Sequence, residues 1–175
     1  ARAGGNPFFI VETTGMLLAG DDGRPASPAG TLPPTVHAVV SARIDALPPR
    51  LRELARRASA FFVSFDLAEL AVVDPNATAD ELRLLVESEI LARDEASRSP
   101  RWRLRHSTLK DVAYASLPKR ERVRLHQLVA DRLLASGHPS WAAEHLELAA
   151  LASLDLDPDD RTVPERAVDA LAEAG

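Results

Sequence analysis

The 175-residue chain contains no cysteine. That excludes a disulfide framework, a thiolate metal site and a thiol nucleophile, and it suits a reducing cytoplasm. No Gly-Lys dipeptide occurs either, so a phosphate loop of the form G-x-x-x-x-G-K-[ST] is impossible. The chain therefore cannot hydrolyse ATP alone by that route. A G-x-S-x-G nucleophile elbow is missing as well. The histidines at 37, 106, 126, 138 and 145 form no i,i+4 pair and no H-E-x-x-H motif, so no metal site is expected. Apolar runs fall far short of a bilayer crossing, and the opening ARAGGNPFFI has no cleavable signal pattern. A soluble, cytoplasmic chain is the expectation.

Net charge is -5 and the sequence pI is about 5.5, which gives no global attraction to nucleic acid. The distribution is more informative. Residues 98 to 124 hold nine Arg or Lys (Arg98, Arg101, Arg103, Arg105, Lys110, Lys119, Arg120, Arg122, Arg124) against Asp111 and Glu121, a local balance of +7. Residues 139 to 175 hold nine acids against Arg161 and Arg166, a balance of -7. Such a dipolar chain can pair its own halves or offer one basic surface to an anionic partner. Lysine occurs only at Lys110 and Lys119 while Ala and Leu are abundant, which reads as genome bias before function. Acidic residues fall on predicted solvent faces and form no convincing acid/base dyad.

The patterning predicts a mainly α chain. Asn6 suits an N-cap and Pro7 the first helical position, so residues 1–20 read as a turn feeding a helix that Gly20 ends. Residues 21–34 are rich in Gly, Pro, Asp and Ser and read as a linker. Val36, Val39, Val40, Ile44 and Leu47 then recur at helical spacing until Pro48-Pro49 breaks the helix and starts another. That next helix carries Leu51, Leu54, Ala55, Ala58, Phe61 and Phe62. A short helix fits FDLAELAVV, and another fits TADELRLLVESEI, where Thr78 and Glu81 have the spacing of a capping box. Two strand-length runs flank Ser97-Arg98-Ser99-Pro100, which predicts a hairpin. Three helices followed by a two-stranded β-wing is the plan of a winged helix-turn-helix, and with its lead-in helix it occupies residues 35–106. Two helices follow over 107–136, and a further antiparallel pair over 139–175 looks like the start of a helical-repeat array.

A winged helix invites a DNA-binding reading, which the charge of its would-be groove helix tests. TADELRLLVESEI carries Asp80, Glu81, Glu87 and Glu89 against Arg83, so phosphates flanking a groove would repel it. Sequence-specific DNA binding is therefore not expected here, although the basic wing and the helix after it have the charge to touch a nucleic-acid backbone. His106 stands where RWRLRH, an alternating run, gives way to helical spacing. It can act as a local junction residue, or, beside a helix N-terminus and amid Arg103 and Arg105, it can donate to an anion such as a phosphate.

GGNPFFIVE, LPPTVHAVVSARIDALPPRLRELARRASAF and WRLRHSTLKDVAYASLPKRERVRLHQLVADRLL, in that order, resemble the segment after the nucleotide-binding core of STAND-class AAA-like ATPases. The similarity is to bacterial members fused to class III adenylate/guanylate cyclase domains or to LuxR-type DNA-binding domains, and it covers roughly residues 1 to 135. Residues 139–175 resemble the start of the tetratricopeptide-like array that follows. The resemblance implies that residues 1–20 are the last part of the ATPase helical lid, that Pro7 matches the proline packing on adenine, and that His106 matches the winged-helix histidine contacting the β-phosphate of ADP. Here the sequence reads Leu104-Arg105-His106-Ser107, where plant and animal relatives carry Met-His-Asp. It further implies a regulatory, non-catalytic segment of a larger signalling ATPase. ATP or ADP and Mg would be held in the parent's core, with none expected for this chain alone, and the core and the helical repeats of the same protein would be its partners. The alternatives from other classes are a DNA-binding winged-helix domain and a helical protein-interaction scaffold.

Overall fold

The computed structural model describes residues 34–174. Pro7, the helix read over residues 1–20 and nearly all of the linker at 21–34 lie outside them. By their contacts residues 1–39 and 40–175 form separate units, and of the first only the opening turns of one helix are described. Among the described residues the chain is mainly helical, with one two-stranded antiparallel sheet.

Helix α1 spans Pro34–Asp45 and α2 Pro49–Ala58, with Pro48 and Pro49 supplying the break between them. The apolar spacing on α2 predicts a helix reaching Phe62, but the helix stops at Ala58. The Ser59 hydroxyl donates to the Arg56 carbonyl and the backbone tightens into Ala60 N–H to Arg57 O and Phe61 N–H to Ala58 O contacts. Phe61 and Phe62 thereby leave the helix. Helix α3 (Leu67–Val73) begins at a capping box in which Asp66 accepts from the Glu69 N–H and Glu69 accepts from the Asp66 N–H. Helix α4 (Ala79–Glu87) has the Thr78–Glu81 box that the sequence spacing predicts.

Strands β1 (Leu91–Arg93) and β2 (Trp102–Leu104) form the hairpin, with Leu91 opposite Leu104 and Arg93 opposite Trp102. Phe65 adds a third, one-residue rung by exchanging both backbone hydrogen bonds with Trp102 at 2.8 Å. This rung ties the loop before α3 to the hairpin. Phe61 and Phe65 meet with ring centroids 5.0 Å apart, and Phe65 has no exposed surface.

Asp74, by contrast, departs from the expectation that acids lie on solvent faces, because it is only 1% exposed. It caps the C-terminus of α3 and accepts from Arg50 at 2.6 and 3.0 Å and from Arg57 at 3.3 Å. Burial alone would raise its carboxyl pKa, but the Arg50 hydrogen bonds and charge, reinforced by Arg57, hold it below the usual value.

Helices α5 (Ser107–Ala115), α6 (Lys119–Ala135), α7 (Pro139–Leu154) and α8 (Thr162–Ala174) complete the described chain. The turn after α6 places Gly137 at φ +75, with its N–H on the Leu134 carbonyl and the His138 N–H on the Leu133 carbonyl. This paired closure needs a left-handed residue, which glycine supplies without strain. It folds α7 back antiparallel on α6, and α8 packs on α7 through an alanine-rich core of Ala142, Ala143, Ala149, Ala167 and Ala170 with Leu146 and Val163.

Of the pairing expected between the basic run and the acidic C-terminal stretch, Lys119–Asp155 at 2.9 Å is the ion pair found among the described residues. The basic residues otherwise find nearer acids. Arg101 binds Glu69 at 2.7 Å, Arg124 binds Glu121 at 2.7 Å, and Arg105 lies 3.8 Å from Glu89.

Candidate functional site

His106 sits one residue after β2 and an arginine, at the position preceding the first turn of α5. Its backbone is extended (φ -134, ψ 147), and its side chain makes no cap hydrogen bond to the helix it introduces. The free N–H groups at that helix end therefore keep their positive polarity next to an exposed imidazole. Desolvation of the ring by its neighbours lowers the His106 pKa first, and the charges of Arg105, Arg43 and Arg103 lower it further, against a smaller opposing effect of Glu89. A neutral imidazole among three guanidiniums results.

Two members of this patch were not legible as neighbours of His106. Arg43 lies on α1, more than sixty residues away in sequence by the numbering, and donates to the Ser88 carbonyl at 3.1 Å and to Glu89 Oε2 at 2.7 Å. Glu89 has φ +55, a left-handed backbone at a residue with a Cβ. It occupies the place where a helix end ordinarily takes glycine: the Glu89 N–H reaches the Val86 carbonyl and the Ile90 N–H the Leu85 carbonyl, both at 2.9 Å. Such a conformation costs about 1 kcal/mol. The side chain supplies what glycine cannot, a carboxylate between Arg43 and Arg105. The Arg43 hydrogen bond, followed by the Arg105 charge, holds the Glu89 pKa below the usual carboxylate value.

On α4, the single cation Arg83 is flanked by its own helix's acids, Asp80 at 3.4 Å and Glu87 at 3.1 Å. A helix whose only guanidinium is already matched has no free cation for a phosphate.

A second cluster joins residues that the sequence spacing did not connect. His126 on α6 and His145 on α7 meet through their Nδ1 atoms at 2.8 Å, and the Tyr114 hydroxyl of α5 lies 2.8 Å from His126 Nε2. Both histidines are buried, at 1% and 4% exposure. Phe62 stacks on the His145 ring with centroids 4.0 Å apart, while Lys110 donates to the Phe62 carbonyl at 3.2 Å and lies 5.4 Å from the Phe62 ring centre. Burial chiefly, with Lys110 and Arg122, lowers the His126 pKa to about 4. Burial, His126 and Lys110 lower that of His145 to about 3. Both rings are neutral at pH 7. Only the nineteen-residue separation set by the Gly137 turn brings them together, and no i,i+4 rule could reveal it.

His145 also lines an open cleft of about 570 Å³, walled by Phe62, Val72, Leu133 and the exposed Trp141 and flanked by Arg101, Arg132, Glu69 and Glu144. Among the described residues no group of three or more His, Cys, Asp or Glu side chains is placed to hold a metal ion. Nor is any described helix long and apolar enough to cross a membrane. No family model, curated protein or solved structure matches this chain.

Proposed function

We propose that this chain is a regulatory, non-catalytic segment of a larger STAND-type signalling ATPase, in which residues 35–106 form a lead-in helix and a winged helix and residues 139–175 begin a tetratricopeptide-like array. The observation that carries the reading is His106, an exposed imidazole beside an uncapped helix start and surrounded by Arg43, Arg103 and Arg105. A nucleotide diphosphate presented by a neighbouring core would meet an imidazole donor, helix N–H groups and guanidiniums together. Glu89 neutralises two of those guanidiniums in the meantime, so an arriving phosphate competes with a carboxylate already in place. Exchange of ADP for ATP would alter that contact and shift the population between closed and open forms of the parent protein. Output through a cyclase or a LuxR-type DNA-binding domain is part of the same proposal, as is a role for Pro7 against adenine.

The test is nucleotide retained by the full-length parent, measured by mass analysis after denaturation, for wild type and His106→Ala. Retention of ADP by wild type and its loss from the variant supports the reading; equal occupancy overturns the role of His106. The DNA-binding alternative is weakened by the self-paired acidic face of α4 and predicts a salt-dependent gel shift. The scaffold alternative draws on exposed Leu151, Val168 and Leu171 of α7 and α8. Removal of residues 139–175 would then abolish capture of a partner.

A further inference from the structure

The cleft beside the buried histidine pair has the composition of a small-molecule site, with an apolar wall, a charged rim and an imidazole at its buried side. That imidazole is His145, which has one free nitrogen. Its Nδ1 is taken by His126, and its Nε2 has no hydrogen-bond partner among the described residues. Nor is Nε2 among the side-chain atoms sealed from the surface without a partner, which are Arg52 Nε and Arg56 Nε. A ring that is 4% exposed, lines the cleft and keeps an unpartnered but accessible nitrogen presents that nitrogen to the cleft.

The Tyr114–His126–His145 chain can carry its protons in either direction, and one of the two arms the cleft with a donor. With the Tyr114 hydroxyl donating to His126 Nε2, its one hydrogen-bond partner among the described residues, the order of the protons is set. His126 then carries its own proton on Nδ1 and donates it to His145 Nδ1. A neutral His145 is left with its proton on Nε2, and the cleft receives an N–H donor at the end of a three-residue relay.

Charges of both signs line the cleft, Arg101 and Arg132 with Glu69 and Glu144. At the rings themselves Lys110 acts on both histidines and Arg122 on His126. Arg132 at the rim has no ion-pair partner among the described residues, while Arg101 is already matched by Glu69 and Asp66. Phe62 and Trp141 supply flat apolar surface. We infer that the cleft between α6, α7 and the Phe61–Ser64 loop binds a small planar aromatic carboxylate, its ring against Phe62 and Trp141 and its carboxylate accepting from His145 Nε2–H. The residues involved are separate from the His106 patch, so this site and the nucleotide reading stand or fall independently.

The probe is 2-naphthoate, titrated into the uniformly ¹⁵N-labelled chain while imidazole nitrogens are followed by two-bond ¹H–¹⁵N correlation. Expected are saturable one-to-one binding, a shift of the His145 Nε2 signal with little movement of His106, and at least tenfold weaker binding of 2-methylnaphthalene, which lacks the acceptor. His145→Phe should weaken 2-naphthoate at least tenfold. Because that change also breaks the histidine pair, Leu133→Trp serves as a second variant: it fills the cleft from its wall, leaves the relay in place and should likewise abolish binding. The proposal is overturned if 2-naphthoate shows no saturable binding. It is equally overturned if 2-methylnaphthalene binds as tightly, if His106 rather than His145 shifts, or if folded Leu133→Trp, checked by circular dichroism, binds as wild type does.

Discussion

Between Pro49 and Leu104 the interior is filled by large side chains without exposed surface, Leu54, Phe65, Leu70, Leu82, Leu85 and Ile90, whereas the core shared by α6, α7 and α8 is mostly alanine. The first region has short helices and a hairpin of three-residue strands, so it relies on bulky apolar burial and on long-range polar ties such as Arg50–Asp74–Arg57 and Arg101–Glu69. The second has helices of 17, 16 and 13 residues, and its small side chains let backbones approach closely over long lengths. The lesson is that one chain solves burial twice, by size where elements are short and by proximity where they are long. The histidine pair marks the exception, a polar contact admitted to the alanine-rich region because each buried nitrogen of His126 has a partner.

The largest effect expected from breaking this contrast is at Phe65. Phe65→Ala removes the buried ring that packs on Phe61 beside the Trp102 rung, and should cost about 3–5 kcal/mol. Urea denaturation followed by circular dichroism measures it, and a loss below about 1 kcal/mol would show that bulk does not hold the first region together.

Acid tests the second region next. The folded-state pKa values of His126 and His145 are lowered from 6.5 to about 4 and about 3, so their contribution to stability is fully present above pH 6.5 and is lost as pH falls toward those values. Between pH 6.5 and 5 the loss should be on the order of 2 kcal/mol per histidine, since the unfolded chain takes up protons that the folded chain refuses. Thermal melts at pH 7.5 and 5 should show a larger drop for wild type than for His126→Phe/His145→Leu. Equal drops would remove the neutral pair from the account.

A smaller effect should follow enlargement of the alanine interface. Ala143 is 1% exposed, and Ala143→Leu should destabilise by about 1–3 kcal/mol through overpacking, while Leu151→Ala on the exposed face of the same helix should change little. Comparison of melting temperatures decides it: if Ala143→Leu is neutral, the helices have slack and close approach is not their source of stability.

Much of the helical fold was legible because its signals are local. Pro48-Pro49, the Thr78–Glu81 box and the Ser-Pro hairpin each act within a few residues of themselves. The end of α2 was misplaced because Phe61 and Phe62 keep helical spacing while serving tertiary contacts, one against Phe65 and the other against His145. The candidate site was half legible. His106, Arg103 and Arg105 are neighbours in sequence, but Arg43 and the left-handed Glu89 joined them only through folding.

The sequence by itself determined the mainly helical class, the hairpin and the exclusions that follow from missing cysteine and a missing phosphate loop. These depend on residue identity and on periodicity over one or two turns. The tertiary structure alone decided that Asp74 is buried, that Glu89 sits between Arg43 and Arg105, and that His126 and His145 share a proton-bearing contact beside a cleft. Such arrangements depend on which faces of distant elements meet, and a desolvated charge or imidazole is set by its three-dimensional neighbours and not by the residues adjoining it in the chain.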